Sequence, residues 1–373
     1  MTSERRNRQD GNPAAAGTDD REAQDMAPEG TAAPAMRIAR YYDNRSVRVE
    51  SMPRPVIADG EVLVRVMASG ICGSDVLEWF RVPKSPRILG HEISGVVAES
   101  RTDAFAVGDR VVVRNQIPCG ACHPCRHGHH AVCERQVEIE PGGMAEYVRV
   151  PAELAGRGLT PLPPGLSFQA GTLAEPLACT LHAQALARIE PHQCVVVLGC
   201  GVFGLLHVQV ALGAGVERVI AVDKVDFRTD AARRAGAALV LGPDADLPSE
   251  VRRINDGRLA DVVVLATGAA EALVTASSAL ARHGTLLLFG APEPRTPVPL
   301  TLNELFWRRE LTMVSSYGAG DVDLARGLEL LEKGVVDGEA MITHNVPFAE
   351  VQRAFATVTE ARDSLKVVLD LAP

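Results

Sequence analysis

Aromatic residues are scarce in this chain: two Trp, four Tyr and nine Phe among 373 residues, or 4%. That scarcity argues against a broad stacking surface for nucleic-acid bases, which needs aromatic faces in series. Positive charge is short as well. Lys and Arg number 38 against 47 Asp and Glu, a formal net charge of −9, whereas a grip on a polyanion needs clustered cations. Neither nucleic acid nor an anionic membrane is expected as a partner. No apolar run approaches the ~20 residues that cross a bilayer. Arg5, Arg6 and Arg8 are followed by no apolar segment, so no export signal is read and a cytoplasmic location is expected. Cysteine is sparse too, with eight in all. Four of them, Cys119, Cys122, Cys125 and Cys133, crowd into one short stretch, which reads as metal binding in a reducing compartment rather than as a disulfide framework.

A hydrophobic content of 46% over this length allows two packed domains with sizeable cores. Residues 1–35 hold almost no large apolar side chain and are expected to be disordered, since they bury too little to offset their ordering entropy. Met26 and Met36 are alternative starts of translation. Over 36–176, short β-branched runs at Val47–Val49, Val62–Val66, Val96–Val97 and Val111–Val113, broken by Gly and Pro, predict an antiparallel, barrel-like domain. Over 177–319 the rhythm changes to strands alternating with helical stretches. The candidates are Val195–Leu198, Val219–Val222, Leu239–Leu241, Val262–Leu265, Leu286–Phe289 and Thr312–Ser315. Repeated βα units of this kind predict a six-stranded parallel sheet. Residues 320–373 carry an amphipathic helix (Leu324, Leu328, Leu331) and a closing strand, Val367–Leu369.

The run Val195-Val-Val-Leu-Gly199-Cys-Gly201-Val202-Phe203-Gly204 is a strand that enters a helix through G-x-G-x-x-G. Gly199 permits the tight turn, Gly201 admits a pyrophosphate to the backbone, and Gly204 lets helix and sheet approach. The helix start at Val202 and Phe203 offers free N–H groups to the phosphates. The next strand ends in Asp223, whose carboxylate suits a ribose diol and repels a 2′-phosphate, favouring NAD over NADP. Lys224 and Arg228 nearby leave room for some NADP use.

Two metal sites are read. The quartet Cys119, Cys122, Cys125 and Cys133 has the spacing C-x2-C-x2-C-x7-C and closes a tetrahedral, structural zinc site. His123, His127, His129 and His130 are taken as solvated loop residues. Cys72, His91 and one carboxylate, Glu92 or Glu175, would supply the three protein ligands of a catalytic zinc with an open fourth position. Each also has an ordinary structural explanation: a small buried Cys, a His in a turn, an acid at a helix start.

Taken together, Cys72-Gly-Ser-Asp75, Gly90-His91-Glu92-Ile-Ser-Gly95, Val107-Gly108-Asp109-Arg110-Val111, the cysteine quartet, Gly142-Gly143-Met144-Ala145-Glu146-Tyr147, Glu175-Pro176-Leu177-Ala178-Cys179 and the glycine fingerprint resemble the zinc-containing medium-chain alcohol dehydrogenase family. The resemblance runs from about residue 36 to the C-terminus. It implies a GroES-like β-barrel catalytic domain, a six-stranded Rossmann domain, and an active site between them. Glu at position 175 is closer in type to polyol and threonine dehydrogenases, whereas simple-alcohol dehydrogenases usually place Cys there. Relatives commonly carry His five residues after the cysteine ligand; this chain has Leu77. By resemblance, Cys72 and His91 hold the catalytic zinc, Glu92 and Glu175 compete for the third position, Asp75 orients His91, and Ser74 begins the proton relay. Thr267, Gly290 and Arg228 are implied to approach NAD.

The expected reaction is hydride transfer from a secondary alcohol, polyol-like, to NAD, giving a ketone. Threonine, another amino alcohol or an aminocyclitol is the alternative substrate. Glu78 and Trp79 form a candidate polyol-binding pair, or else a solvent-facing acid beside a core aromatic. A homo-oligomer, dimer or tetramer, is expected by family resemblance.

Overall fold

Two kinds of β-branched run build two kinds of sheet. In a computed structural model, residues 34–372 are described; the expected tail lies outside them except for its last two residues, and Ala35 opens a strand, Ala35–Asp43. Residues 34–373 form one compact unit.

The N-terminal sheet runs in the order Leu159–Pro161, Arg110–Arg114, Glu92–Ser100, Val62–Ile71, Lys366–Asp370, Ile342–Pro347, with Tyr147–Val150 also pairing on Val62–Ile71. Its central pairs are antiparallel. Val64, Ile93, Val111, Val148, Phe355 and Leu369 meet in its buried core. The closing strand is thus the C-terminus returning to the first sheet. Its register sets Val367 opposite Ile71, while Gly70 faces Glu92 on the other side. Three strands far apart in sequence therefore deliver Cys72, Glu92 and Lys366 to one end of the sheet.

The second sheet is wholly parallel: Leu239–Leu241, Arg218–Val222, Cys194–Leu198, Ala260–Leu265, Leu280–Leu288, Thr312–Ser315. Strand order reverses between Cys194–Leu198 and Ala260–Leu265, and such a switch point opens a crevice at the strand C-termini. The helix Ala174–Ala187 crosses the boundary expected at residue 177. It packs on the helices Val202–Gly213 and Asp321–Glu332 and is buried at Ala174, Leu177, Ala178, Thr180 and Ala183, on several sides at once. Glu175 sits in its first turn.

Candidate active site and metal centres

The chain leaves the strand Val62–Ile71 into a short 3-10 turn, Gly73–Val76, and the turn is closed by its own side chains. The Cys72 sulfur accepts the Ser74 N–H at 3.5 Å, and Asp75 Oδ2 accepts the Cys72 N–H at 3.1 Å. Asp75, with no exposed surface, lies 3.7 Å from His91 Nδ1 through Oδ1. The same oxygen accepts Arg81 Nη2 at 2.9 Å. Arg81 also donates to Ser74 Oγ at 3.1 Å and to the Ser74 carbonyl at 2.9 Å. It therefore fastens both the orienting acid and the serine, a role that the sequence did not reveal.

Ligand atoms of Cys72, His91 and Glu92 lie within 4.8 Å of one another. Glu92 has no exposed surface; Oε2 pairs with the equally buried Lys366, and Oε1 is buried without any partner. A buried carboxylate oxygen with no donor is costly unless something cationic fills the gap. Burial alone pushes His91 down, yet Asp75, the Cys72 sulfur and Glu175 together hold it well above the usual imidazole range. Thiol, imidazole and an orphaned carboxylate oxygen fit a zinc ion. Glu175 stands beside this set rather than in it: Oε1 accepts the Cys179 thiol at 3.3 Å, and burial raises its pKa, helped by the Glu92 charge and opposed by His91, Cys179 and Lys366. Between the two competing acids, the geometry gathers Glu92 with Cys72 and His91 and leaves Glu175 facing the cleft.

The cysteine quartet also converges, with all four sulfurs within 4.8 Å of one another. Backbone N–H groups of Ala121 and Cys122 lower the Cys119 thiol to about 6, while burial pushes Cys125 up to about 12. Cys119 N–H and Arg135 N–H point at the Cys133 sulfur, at 3.2 and 3.3 Å. The donors on the Cys119 sulfur favour its thiolate, the form that binds metal. Four sulfurs gathered in this way fit a closed zinc site.

At the crevice of the parallel sheet, Gly199 takes φ 93°, and a Cβ on Gly204 would fall 1.7 Å from the Gly199 carbonyl oxygen, so only Gly allows this approach. Space beside Gly201 is open. Val202 begins the helix, and the Phe203 ring rests on Phe289 at 4.9 Å. Thr267 and Gly290 follow neighbouring strands and touch each other, and Thr267 also adjoins Gly199. Asp223 accepts the Cys200 and Val225 N–H groups at 2.6 and 2.9 Å, which fixes the carboxylate and leaves it lone pairs for a diol. Arg228 Nε is buried with no partner. Open space at Gly201 beside an orphaned guanidinium N–H fits a dinucleotide.

A cleft of about 480 Å³ opens at Glu175, lined by Asn115, Gln116, His130, Gln136, Ala178 and Leu324 among others. A second hollow, about 400 Å³, reaches Asp75 and His91, and Asn115 borders both. Two expectations are corrected here. His130 is a wall of the cleft rather than a solvated loop residue, because the turn before Cys133 folds back toward Gly318. Glu78 and Trp79 line neither cavity; Glu78 is solvent-facing, as one of its two readings has it, and accepts the Asn44 N–H at 3.1 Å, whereas Trp79 lies at the surface and not in the core.

Residues 58–164 match the model of the alcohol dehydrogenase GroES-like domain, and 202–333 that of the zinc-binding dehydrogenase domain. A protein named "Probable D-xylulose reductase A" from Aspergillus clavatus is 36% identical over 84% of this chain and 90% of its own length. The L-threonine 3-dehydrogenase of Bacillus velezensis is 32% identical over 82% and 90%, and the sorbitol dehydrogenase of Bacillus subtilis is 29% identical over 90% and 97%. Among solved structures, an alcohol dehydrogenase from Escherichia coli CFT073 in complex with NADH superposes with a TM-score of 0.80, at 26% identity over 90% of this chain and 99% of that one. A candidate zinc-binding dehydrogenase from Sinorhizobium meliloti 1021, bound to NADP, gives 0.81 at 27% identity over the same shares. No helix among the described residues is long and apolar enough to cross a membrane. With a GroES-like domain and a Rossmann domain joined at a cleft, the chain belongs to the zinc-containing medium-chain alcohol dehydrogenase family.

Proposed function

We propose that this dehydrogenase oxidises a secondary hydroxyl of a polyol with NAD, using zinc held by Cys72, His91 and Glu92. The observation that carries it is the gathering of that donor set with Glu175 close by, and Glu175 lines a cleft that also presents Asn115, Gln116, His130 and Gln136. Bound zinc supplies Lewis acidity toward the substrate hydroxyl, and NAD accepts the hydride. The chain's own residues do the rest. Asp75 holds the His91 ring by Nδ1, fixing which nitrogen faces the metal. Arg81 occupies one lone pair of Ser74 Oγ, so the serine keeps its own O–H and its other lone pair for passing on the substrate proton. Glu175, at the cleft, is the second acid available near the reacting hydroxyl. Val202, Phe203 and the glycine turn face the pyrophosphate, while Asp223 and Arg228 take the adenosine ribose. A carboxylate at that position supports NAD over NADP. The quartet Cys119, Cys122, Cys125 and Cys133 holds a second, structural zinc.

The protein is further proposed to work as a homo-oligomer. Among the described residues the strand Thr312–Ser315 ends its sheet with one edge unpaired, and Phe306, Trp307, Met313 and Tyr317 around it are each more than half exposed. An open strand edge rimmed with large apolar side chains takes another strand, and a second copy supplies the matching one.

NADH formation by the purified protein, tested on xylitol, sorbitol, threonine and 2-propanol with NADP in parallel, checks the reading. Turnover of the polyols with NAD is expected, with two zinc per chain by metal analysis. Turnover confined to threonine would overturn the substrate class.

A further inference from the structure

The wall of the cleft has an unusual makeup. Asn115, Gln116, His130 and Gln136 all border it, all are partly buried, and none of their side chains has a hydrogen-bond partner among the described residues. Among the described residues two charged side chains join them: Glu175, and Arg114, which reaches across the cleft to the Ala319 carbonyl at 3.2 Å. Each amide side chain both donates and accepts, as does every hydroxyl of a polyol, and the His130 ring turns two nitrogens to the same hydroxyls. A wall of four unengaged groups of this kind is matched to a neutral, hydroxyl-rich ligand rather than to a zwitterion. Two of the four flank Cys133, so their placement depends on the loop that the cysteine quartet ties down.

We propose that Gln116, His130 and Gln136 are specificity-determining residues that hydrogen-bond the hydroxyls remote from the reacting carbon, and that the quartet loop is thereby one wall of the substrate site. This rests on the polyol reading above and deepens it. Each remote hydroxyl matched by such a group favours a polyol over a substrate lacking it, because the unmatched site leaves its polar groups unpaired.

The test compares kcat/KM for xylitol with kcat/KM for 2-propanol, both with NAD, in the wild type and in His130→Leu, Gln136→Leu and Gln116→Leu. The xylitol to 2-propanol ratio should fall about tenfold or more in each variant, chiefly through KM for xylitol, and Gln136→Asn should recover part of it. Gln116 lies outside the quartet loop, so its variant reports even where the loop variants lose metal. His129→Leu, altered at an exposed neighbour outside the cleft, is the control. A ratio unchanged within about twofold in all three variants, while the wild type oxidises xylitol, overturns this proposal alone. A wild type that oxidises 2-propanol and no polyol overturns the polyol reading, and this proposal with it.

Discussion

Cys72 has three neighbours that each explain why it is where it is: the Ser74 N–H on its sulfur, Asp75 on its own N–H, and His91 within ligand reach. In the proposed zinc site, replacing it by Ala removes one of three ligands, while the nucleotide crevice belongs to the other sheet. Cys72→Ala is expected to abolish turnover, to lower zinc from two to one per chain, and to keep NADH binding by fluorescence titration. Normal turnover in that variant would remove the metal assignment. Asp223 supports a second expectation. In the proposed ribose contact, Asp223→Gly deletes a carboxylate that would repel a 2′-phosphate, so KM for NAD should rise and the NADP to NAD preference should shift toward NADP. An unchanged preference would place the ribose contact elsewhere. At this scale the sequence was legible wherever partners lie close in the chain, as in Cys72 to Asp75 or the cysteine quartet. Lys366, the partner of Glu92, was not, because only strand register brings it there. Nor was Arg81, whose role needs a particular turn, nor His130, which looks like any other loop histidine.

Among the elements, the parallel strands were legible from their apolar runs; Leu239–Leu241 and Thr312–Ser315 are found with the expected ends. The helix Ala174–Ala187 was not, since a helix buried on several sides has no apolar stripe to announce it. That burial has a measurable consequence. Gln184 on this helix faces His207 on the helix Val202–Gly213, donating to its carbonyl at 2.9 Å, while the imidazole lies edge-on to Phe289. Burial pushes His207 down to about 3. An unfolded histidine takes its proton near pH ~6.5, but the folded one refuses it until far lower. The unfolded state therefore binds more protons in this window, and stability falls as pH drops through it, by at most ~1.4 kcal/mol per pH unit. Urea midpoints measured from neutral pH downward should decline less steeply in His207→Phe than in the wild type. Equal slopes would mean that other groups carry the acid sensitivity.

For the whole molecule, two sheets of different kinds share one chain, and the C-terminus ties them by returning to the first. That return places Lys366 beside Glu92, and among the described residues no strand lies beyond Thr312–Ser315 at the edge of the parallel sheet. The sequence marked this strand but could not mark its edge, because sheet order is set by tertiary packing. An exposed edge with Met313, Phe306, Trp307 and Tyr317 beside it is an aggregation hazard unless it is covered. In the proposed homo-oligomer, pairing with the same strand of a second copy would satisfy the open backbone groups and bury the apolar side chains at once, and symmetrically. Met313→Asp puts a charge into that contact. If the wild type sediments as the proposed oligomer, the variant should sediment as monomer at micromolar concentration, with zinc content retained since none of the proposed ligands lies on the strand. A variant that stays dimeric, or a wild type that is already monomeric, would assign the exposed apolar edge to some other contact.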